Sequence, residues 1–337
     1  MNVSEDPQPP SASALAAANV LVIGEALVDI VVRDGDADAG GDGTPVVHPG
    51  GSPLNVAYGL ARLGVPTTFR AQVGDDAYGR AIIRHLGEAG VVLEQAAALD
   101  APTSTATAHL DAEGRASYEF DIVWELDRGE IAAGTSVLHT GSIASVLRPG
   151  ADEIRRLFAE GRARGDVLLS YDPNVRPSIT PDRAAVRADV EALAAHAHVV
   201  KLSDEDAEWL YPGSDLETVV SGFLDAGSLL VGVTRGGEGC LLAAPGVRVA
   251  LPAQPVEVVD TIGAGDSFMS GMLYAILRDG LVPQILAGRL DEAQVEAIAR
   301  TALESARITV SRAGANPPSL AELGPTIGSW LFSTRQY

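Results

Sequence analysis

The sequence predicts a doubly wound α/β fold: a mostly parallel sheet flanked by helices, with a small β-sheet lid. Three observations carry that expectation. From Ser136 onward, short apolar strands such as Val167–Tyr171 and Leu229–Val233 alternate with helical stretches, the pattern of a parallel sheet covered on both faces. Ala, Gly and Val carry the apolar load, with 46% of the 337 residues hydrophobic and 5% aromatic, which suits close helix-on-sheet packing. Two extended patches, about 28–48 and 103–124, break the alternation early and read as one small sheet over the main domain.

Residues 1–18 hold prolines, Glu5, Asp6 and an Ala-rich patch but no Lys or Arg, so they read as a disordered tail rather than a secretory leader. Val20–Ile23 and Leu27–Val32 are β-branched-rich runs broken by Gly24-Glu25, a strand, a turn and a second strand. The Asp- and Gly-rich stretch Arg33–Thr44 reads as a loop before strand character resumes at Val46–His48 and meets Pro49-Gly50-Gly51. Pro53–Leu63 has helical spacing closed by Gly64, then a strand at Thr67–Val73; Ala77–Ala89, closed by Gly90, repeats the pattern. Alternation around Asp111–Gly114 predicts a β-hairpin. Val256–Asp260 reads as a strand that enters a glycine-rich turn and then a helix to about Leu277.

A net charge of −21, from 24 basic and 45 acidic residues, argues against nucleic acid or an anionic membrane as partner. No apolar run of 18 residues suggests a membrane-spanning helix. Cys240 is the single cysteine, so no internal disulfide forms and a cytoplasmic location is expected; its apolar strand context makes it core filler. The six histidines show no metal-ligand spacing, and no Walker-type loop is present.

The chemistry concentrates in Asp260-Thr261-Ile262-Gly263-Ala264-Gly265-Asp266-Ser267-Phe268. A glycine turn at a helix N-terminus leaves backbone N–H groups free for a phosphoryl oxyanion. A carboxylate there would repel a phosphate, but as a base it could take the proton of an acceptor alcohol while the amides hold the transferring group. The plain alternative is a tight turn with an Asp cap.

That segment resembles the C-terminal signature of the ribokinase-like, PfkB-type carbohydrate kinases, and Pro49-Gly50-Gly51-Ser52-Pro53-Leu54-Asn55-Val56-Ala57 resembles their N-terminal signature, in the family's order and separation. The similarity runs from about Asn19 to Leu320, which implies a kinase domain over 19–325, with tails at 1–18 and 326–337. It implies Asp266 as catalytic base, with Gly263, Ala264 and Gly265 forming the oxyanion turn. Sugar contacts would come from Asp29, Gly50, Gly51 and Asn55 and, in Asp172-Pro173-Asn174-Val175-Arg176-Pro177, from Asp172, Asn174 and Arg176. A solvated strand-end carboxylate at Asp29 and an Asx-Pro turn at Asp172 are the alternatives. ATP would meet Lys201, Thr234, Gly236, Gly239, Ala302 and Ala306. Mg²⁺ would engage Asp206 and Asp260; here Ser203 and Asp206 stand where the family usually has Asn and Glu, shortening the reach, and an acidic helix start without metal is the competing reading. Val310–Asn316 resembles the segment that, with the Asp260 loop, holds a monovalent cation in several relatives, so K⁺ is a possible further ion.

The resemblance implies transfer of the γ-phosphoryl group of ATP to a hydroxymethyl oxygen of a small sugar. The Asp172–Pro177 segment, similar to the fructokinase branch, points to D-fructose, with 2-keto-3-deoxygluconate or ribose as alternatives. A sugar- or nucleotide-sensing protein without catalysis is the reading from another class. A homodimer joined through the lid is also implied.

Overall fold

The computed structural model describes Leu15 and residues 18–33, 46–97, 101–110 and 116–324. The expected tails, except Leu15 and Ala18, the loop at 34–45 and the hairpin tip at 111–115 lie outside the described residues. Two sheets organise the chain. The large sheet has nine strands: β1 Val20–Ile23, β4 Thr67–Ala71, β5 Val92–Gln95, β8 Val137–Gly141, β9 Leu168–Asp172, β10 Val199–Ser203, β11 Leu230–Thr234, β12 Cys240–Ala244 and β13 Val247–Leu251, in the order β13-β12-β11-β10-β9-β8-β1-β4-β5. All neighbours are parallel except β11–β12 and β12–β13. The small sheet is the expected lid: β2 Leu27–Arg33, β3 Val46–Gly50, β6 Ser104–Leu110 and β7 Ala116–Asp121, ordered β3-β2-β6-β7 and antiparallel except for the central β2–β6 pair.

The parallel strands are apolar throughout because helices cover both faces; Leu168, Val199 and Leu230 are fully buried on one face and Leu169, Val200 and Val231 on the other. The helices are α1 Ser52–Arg62, α2 Ala77–Ala89, α3 Gly150–Arg164, α4 Arg183–Ala194, α5 Asp204–Leu210, α6 Leu216–Asp225, α7 Ala264–Arg278, α8 Val282–Leu286 and α9 Glu292–Val310. Their starts follow the chemistry of the residues there: Asp76, Asp182, Asp215 and Asp291 each accept an amide of the first turn. Helix α7 is buried along almost its whole length, packed between α1 and α9, and a side chain at Gly271 would strike Ser305 at 2.7 Å. No helix among the described residues is long and apolar enough to cross a membrane.

One predicted strand is absent. Val256–Asp260 makes no ladder; Val258 and Val259 are 59% exposed, and the Val259 amide donates instead to the Val310 carbonyl at 2.8 Å. The run crosses to the end of α9, where the Val259 and Asp260 amides both reach the Val310 carbonyl, rather than joining the edge strand β13.

Strand β1 is the switch point: the chain winds one way from it to β4 and β5, and the other way from β8 through β11. Open α/β sheets bind ligands at the carboxyl ends of strands beside such a reversal. Here those ends carry Glu25, Ser142, Asp172, Ser203 and Thr234, and the lid connects to the same edge.

Candidate active site

Two helix starts meet at this edge. Helix α1 begins after Gly51, whose φ of 109° and close approach to the Glu25 carbonyl (2.6 Å from an added Cβ) both require glycine. Helix α7 begins after Gly263, at φ 73°. Asp266, in the first turn of α7, is only 8% exposed. Its Oδ1 accepts from Ser52 Oγ at 2.6 Å and its Oδ2 from Asn55 Nδ2 at 2.8 Å, so α1 fixes the carboxylate. Asn55, expected to touch sugar, donates from Nδ2 to Asp266, which leaves its Oδ1 for a ligand. Ser52 was not anticipated at all.

The amides at the start of α7 divide. That of Ala264 turns back to the Thr261 carbonyl at 3.2 Å, whereas those of Gly265 and Asp266 make no backbone bond among the described residues. Lys201 sits against this turn, its Nζ 2.9 Å from where a Gly265 side chain would begin. Lys201 Nζ also donates to Asp172 Oδ2 at 3.1 Å, with both residues buried. Burial alone would push the ammonium down, but Asp172, Asp206 and Asp266 around it hold it above its ordinary range. Burial pushes the Asp172 carboxyl up to about 6, against the pull of Lys201, so the pair is charged at neutral pH. Asp172 Oδ1 is buried without a hydrogen-bond partner.

Asp206 and Asp260, the expected metal residues, are occupied by backbone. Asp206 caps α5 through Oδ2 on the Ser203 amide (2.9 Å) and Oδ1 on the Val175 amide (3.0 Å). Asp260 accepts from Ile262 (3.0 Å) and Gly314 (2.8 Å), which lower its carboxyl pKa and tie the Asp260 loop to the Val310–Asn316 segment. No three acidic, His or Cys side chains gather as a metal cage among the described residues.

On the lid side, Asp29 Oδ2 lies 2.2 Å from where a side chain on Gly50 would begin, so any larger residue there would displace the carboxylate. Although Asp29 reaches solvent, the surrounding protein raises its carboxyl, with His48 and Arg176 pulling the other way. Arg176 is exposed and donates to Asn174 Oδ1 at 2.6 Å; Asn174 takes the left-handed region at φ 38°. Of the expected nucleotide residues, Lys201 stands in the cluster just described. Thr234 ends β11 and Gly236 is exposed, while Gly239 is buried where a Cβ would lie 2.0 Å from the Leu251 carbonyl. Ala302 is buried against Gly271, in the α7–α9 contact, and Ala306 is half-buried one turn on.

A carboxylate held by two donors is equipped to take a proton, and the free helix-start amides with a buried lysine beside it are equipped to hold a phosphoryl group. The model of the pfkB family carbohydrate kinases matches residues 17–322. The chain belongs to this family. A fructokinase from Rhizobium leguminosarum bv. trifolii is 31% identical over 280 residues, covering 81% of this chain and 84% of the relative. Among solved structures, Xylella fastidiosa fructokinase with bound ATP superposes with a TM-score of 0.79 at 24% identity, covering 93% of this kinase and 99% of that chain. A double mutant of Vibrio cholerae fructokinase, bound to fructose, ADP and potassium ion, gives a TM-score of 0.72 at 25% identity over 94% and 98% of the two chains.

Proposed function

We propose that this pfkB-family kinase transfers the γ-phosphoryl group of ATP to the terminal hydroxymethyl oxygen of D-fructose, forming fructose 6-phosphate and ADP. The observation that carries the reading is Asp266, held by Ser52 and Asn55 at the open start of α7 beside Lys201. The choice of fructose is supported by the relatives that bear that name and by the fructose and ADP in the Vibrio cholerae structure.

In this reading sugar lies between lid and sheet edge, oriented by Asp29, Gly50, Gly51, Asn55, Asp172, Asn174 and Arg176. Asp266 accepts the hydroxyl proton as the sugar oxygen bonds to the γ-phosphorus, and the bond to the bridging oxygen breaks to release ADP. The amides of Gly265 and Asp266 and the Lys201 ammonium face the charge spreading over the transferred group. Gly263 and Ala264 shape that turn, and Thr234, Gly236, Gly239, Ala302 and Ala306 form the nucleotide side. Ser52 and Asn55 keep the Asp266 carboxylate aimed; they act on the base, not on the phosphoryl group.

Mg²⁺ fits as an ion carried by nucleotide phosphates and water rather than caged by protein, since both oxygens of Asp206 and of Asp260 already accept amides. Bound there, it would neutralise charge on the phosphate oxygens. K⁺ belongs with the Asp260 loop and Val310–Asn316, which the Gly314 amide joins at 2.8 Å. Activity unchanged on replacing K⁺ by a bulky organic cation would remove that ion. The same proposal takes 19–325 as one catalytic unit, a cytoplasmic location consistent with buried Cys240, and a dimer through the lid edge strands β3 and β7.

The test is ADP production from Mg-ATP with fructose, ribose, 2-keto-3-deoxygluconate, glucose and adenosine, each run beside Asp266→Asn. Turnover with fructose that the variant loses is the expected result. Turnover with another member of the panel alone would replace the substrate and keep the reaction.

A further inference from the structure

The chain enters the lid from β1 and leaves it toward β8, and these two connections grip one residue. Ala144 lies in the 3₁₀ turn Ser142–Ser145 that follows β8, the neighbour of β1. Its amide donates to Glu25 Oε2 at 3.1 Å, from the connection that enters β2. Its carbonyl accepts from Trp124 Nε1 at 3.0 Å, from the connection that leaves β7. Glu25 and Trp124 are 3% and 4% exposed, so neither bond is shared with bulk water.

The turn itself is held tightly. Ser142 sits in the left-handed region at φ 52°, and Ser145 Oγ donates to the Ser142 carbonyl at 2.7 Å and pairs with Tyr171 Oη at 3.1 Å, next to Asp172. A buried carboxylate facing amides and a hydroxyl, with no ion-pair partner in contact, is a costly way to anchor a linker that an apolar side chain could seat. Glu25 is also placed to act on the sugar side. The field of Arg176 reaches both Glu25 and Asp29, which stands four residues further along the same stem.

We propose that Glu25 is a positioning residue for the sugar: with Trp124 it clamps both lid stems to the Ser142–Ser145 turn and so sets where Asp29 stands over the sheet edge. The proposal rests on the sugar-kinase reading above. The groups that face Glu25 are the Ala144 amide, its own backbone amide and the Ser142 hydroxyl, with Arg176 as the charged side chain within reach. Burial pushes its carboxyl up to about 7 in spite of them, so the ionised, stronger acceptor forms as pH rises through neutrality. Asp29 and Asp172, whose carboxyls burial also raises, belong to the same cleft, so the limb due to Glu25 is the one that a Gln substitution removes.

The experiment combines steady-state kinetics across neutral pH with hydrogen exchange at Ser142–Ser145, on wild type, Glu25→Gln and Trp124→Phe. Glu25→Gln is expected to raise the KM for fructose about tenfold above neutral pH, with kcat and the KM for ATP within about twofold. It should also flatten the KM-against-pH limb and speed exchange of the Ala144 amide. Trp124→Phe, which keeps the ring and loses the donor, should move KM and exchange the same way by less. A purely structural loss would lower the active fraction and hence kcat, leaving KM and its pH limb alone. An active enzyme whose KM and exchange ignore both substitutions overturns the clamp. A wild-type protein inactive on every sugar, whose turn still loosens on Glu25→Gln, keeps the clamp and removes the kinase assignment.

Discussion

The two walls of the sheet edge are built differently. On the wall proposed for the acceptor, Asp266, Ser52, Asn55, Asp172, Lys201 and Asp206 are joined to each other or to backbone, and all but Asn55 lie buried. On the nucleotide wall Thr234, Gly236 and the stretch Val258–Ile262 are open; Val258, Val259 and Ile262 are among the few large apolar side chains left exposed. The contrast matches the tasks. A proton acceptor gains from fixed geometry, because a small displacement costs rate, whereas a nucleotide that must come and go gains from an open shelf.

The sharpest way to break this comparison is Asp266→Asn. It keeps the shape, and the Asn oxygen can still accept from one donor, so the fold should survive with a melting temperature within a few degrees. Turnover should fall about a thousandfold, the range in which general bases contribute, with little change in nucleotide binding by calorimetry. Turnover near wild type would place the base elsewhere.

Lys201→Met should show that the acceptor wall is also a stability element. It leaves Asp172 buried with both oxygens lacking a charged partner, a loss of about 3 kcal/mol by denaturant unfolding at neutral pH. Burial raises Asp172 to about 6 even with Lys201 pulling it down, so without the lysine the bare carboxyl sits higher still and can escape by taking a proton; the loss should shrink as pH falls toward about 6. Adding Asp172→Asn should recover most of it; a double variant no better than the single would mean that the pair is not the source.

A subtler effect concerns Glu25. Its carboxyl ionises at about 7 in the fold against 4.5 as the unperturbed value. The folded state therefore binds more proton than the unfolded chain between those values, and the contribution to stability, full below the lower one, is lost as pH rises through about 7. Relative to wild type, Glu25→Gln should gain melting temperature as pH climbs from about 5 to about 8. A constant difference across that span would refute the raised carboxyl.

Legibility followed sequence distance. The alternation of strands and helices, the lid hairpin and the Asp266 turn are local patterns, and each could be read from neighbouring residues. Ser52 could not, since its partner is 214 residues away and a serine before a helix reads as an ordinary cap. Glu25 hid for the same reason: what matters is its bond to Ala144, 119 residues on. The Val256–Asp260 error is of another kind. Its β-branched run satisfies every local criterion for a strand, but a strand needs a ladder, and the Val259 and Asp260 amides are taken by the end of α9, a partner about 50 residues away.

The nucleotide wall supplies the smallest predicted effect, at Gly236. Gly239, in the same turn, is required by the fold itself, since its φ is 100° and any side chain would enter the Leu251 carbonyl; that position says nothing about a ligand. Gly236 differs: a Cβ there meets nothing within 4 Å, and the only obstacle is its φ of 48°. Gly236→Ala should therefore cost about 1 kcal/mol of stability from the left-handed backbone and no more. If nucleotide phosphates come close to this backbone, the methyl group will raise the KM for ATP well beyond that strain while the KM for fructose stays fixed. If both constants hold at wild-type values, the shelf is wider than the sequence motif implies, and nucleotide contacts on this wall belong to Thr234 and the α9 side instead.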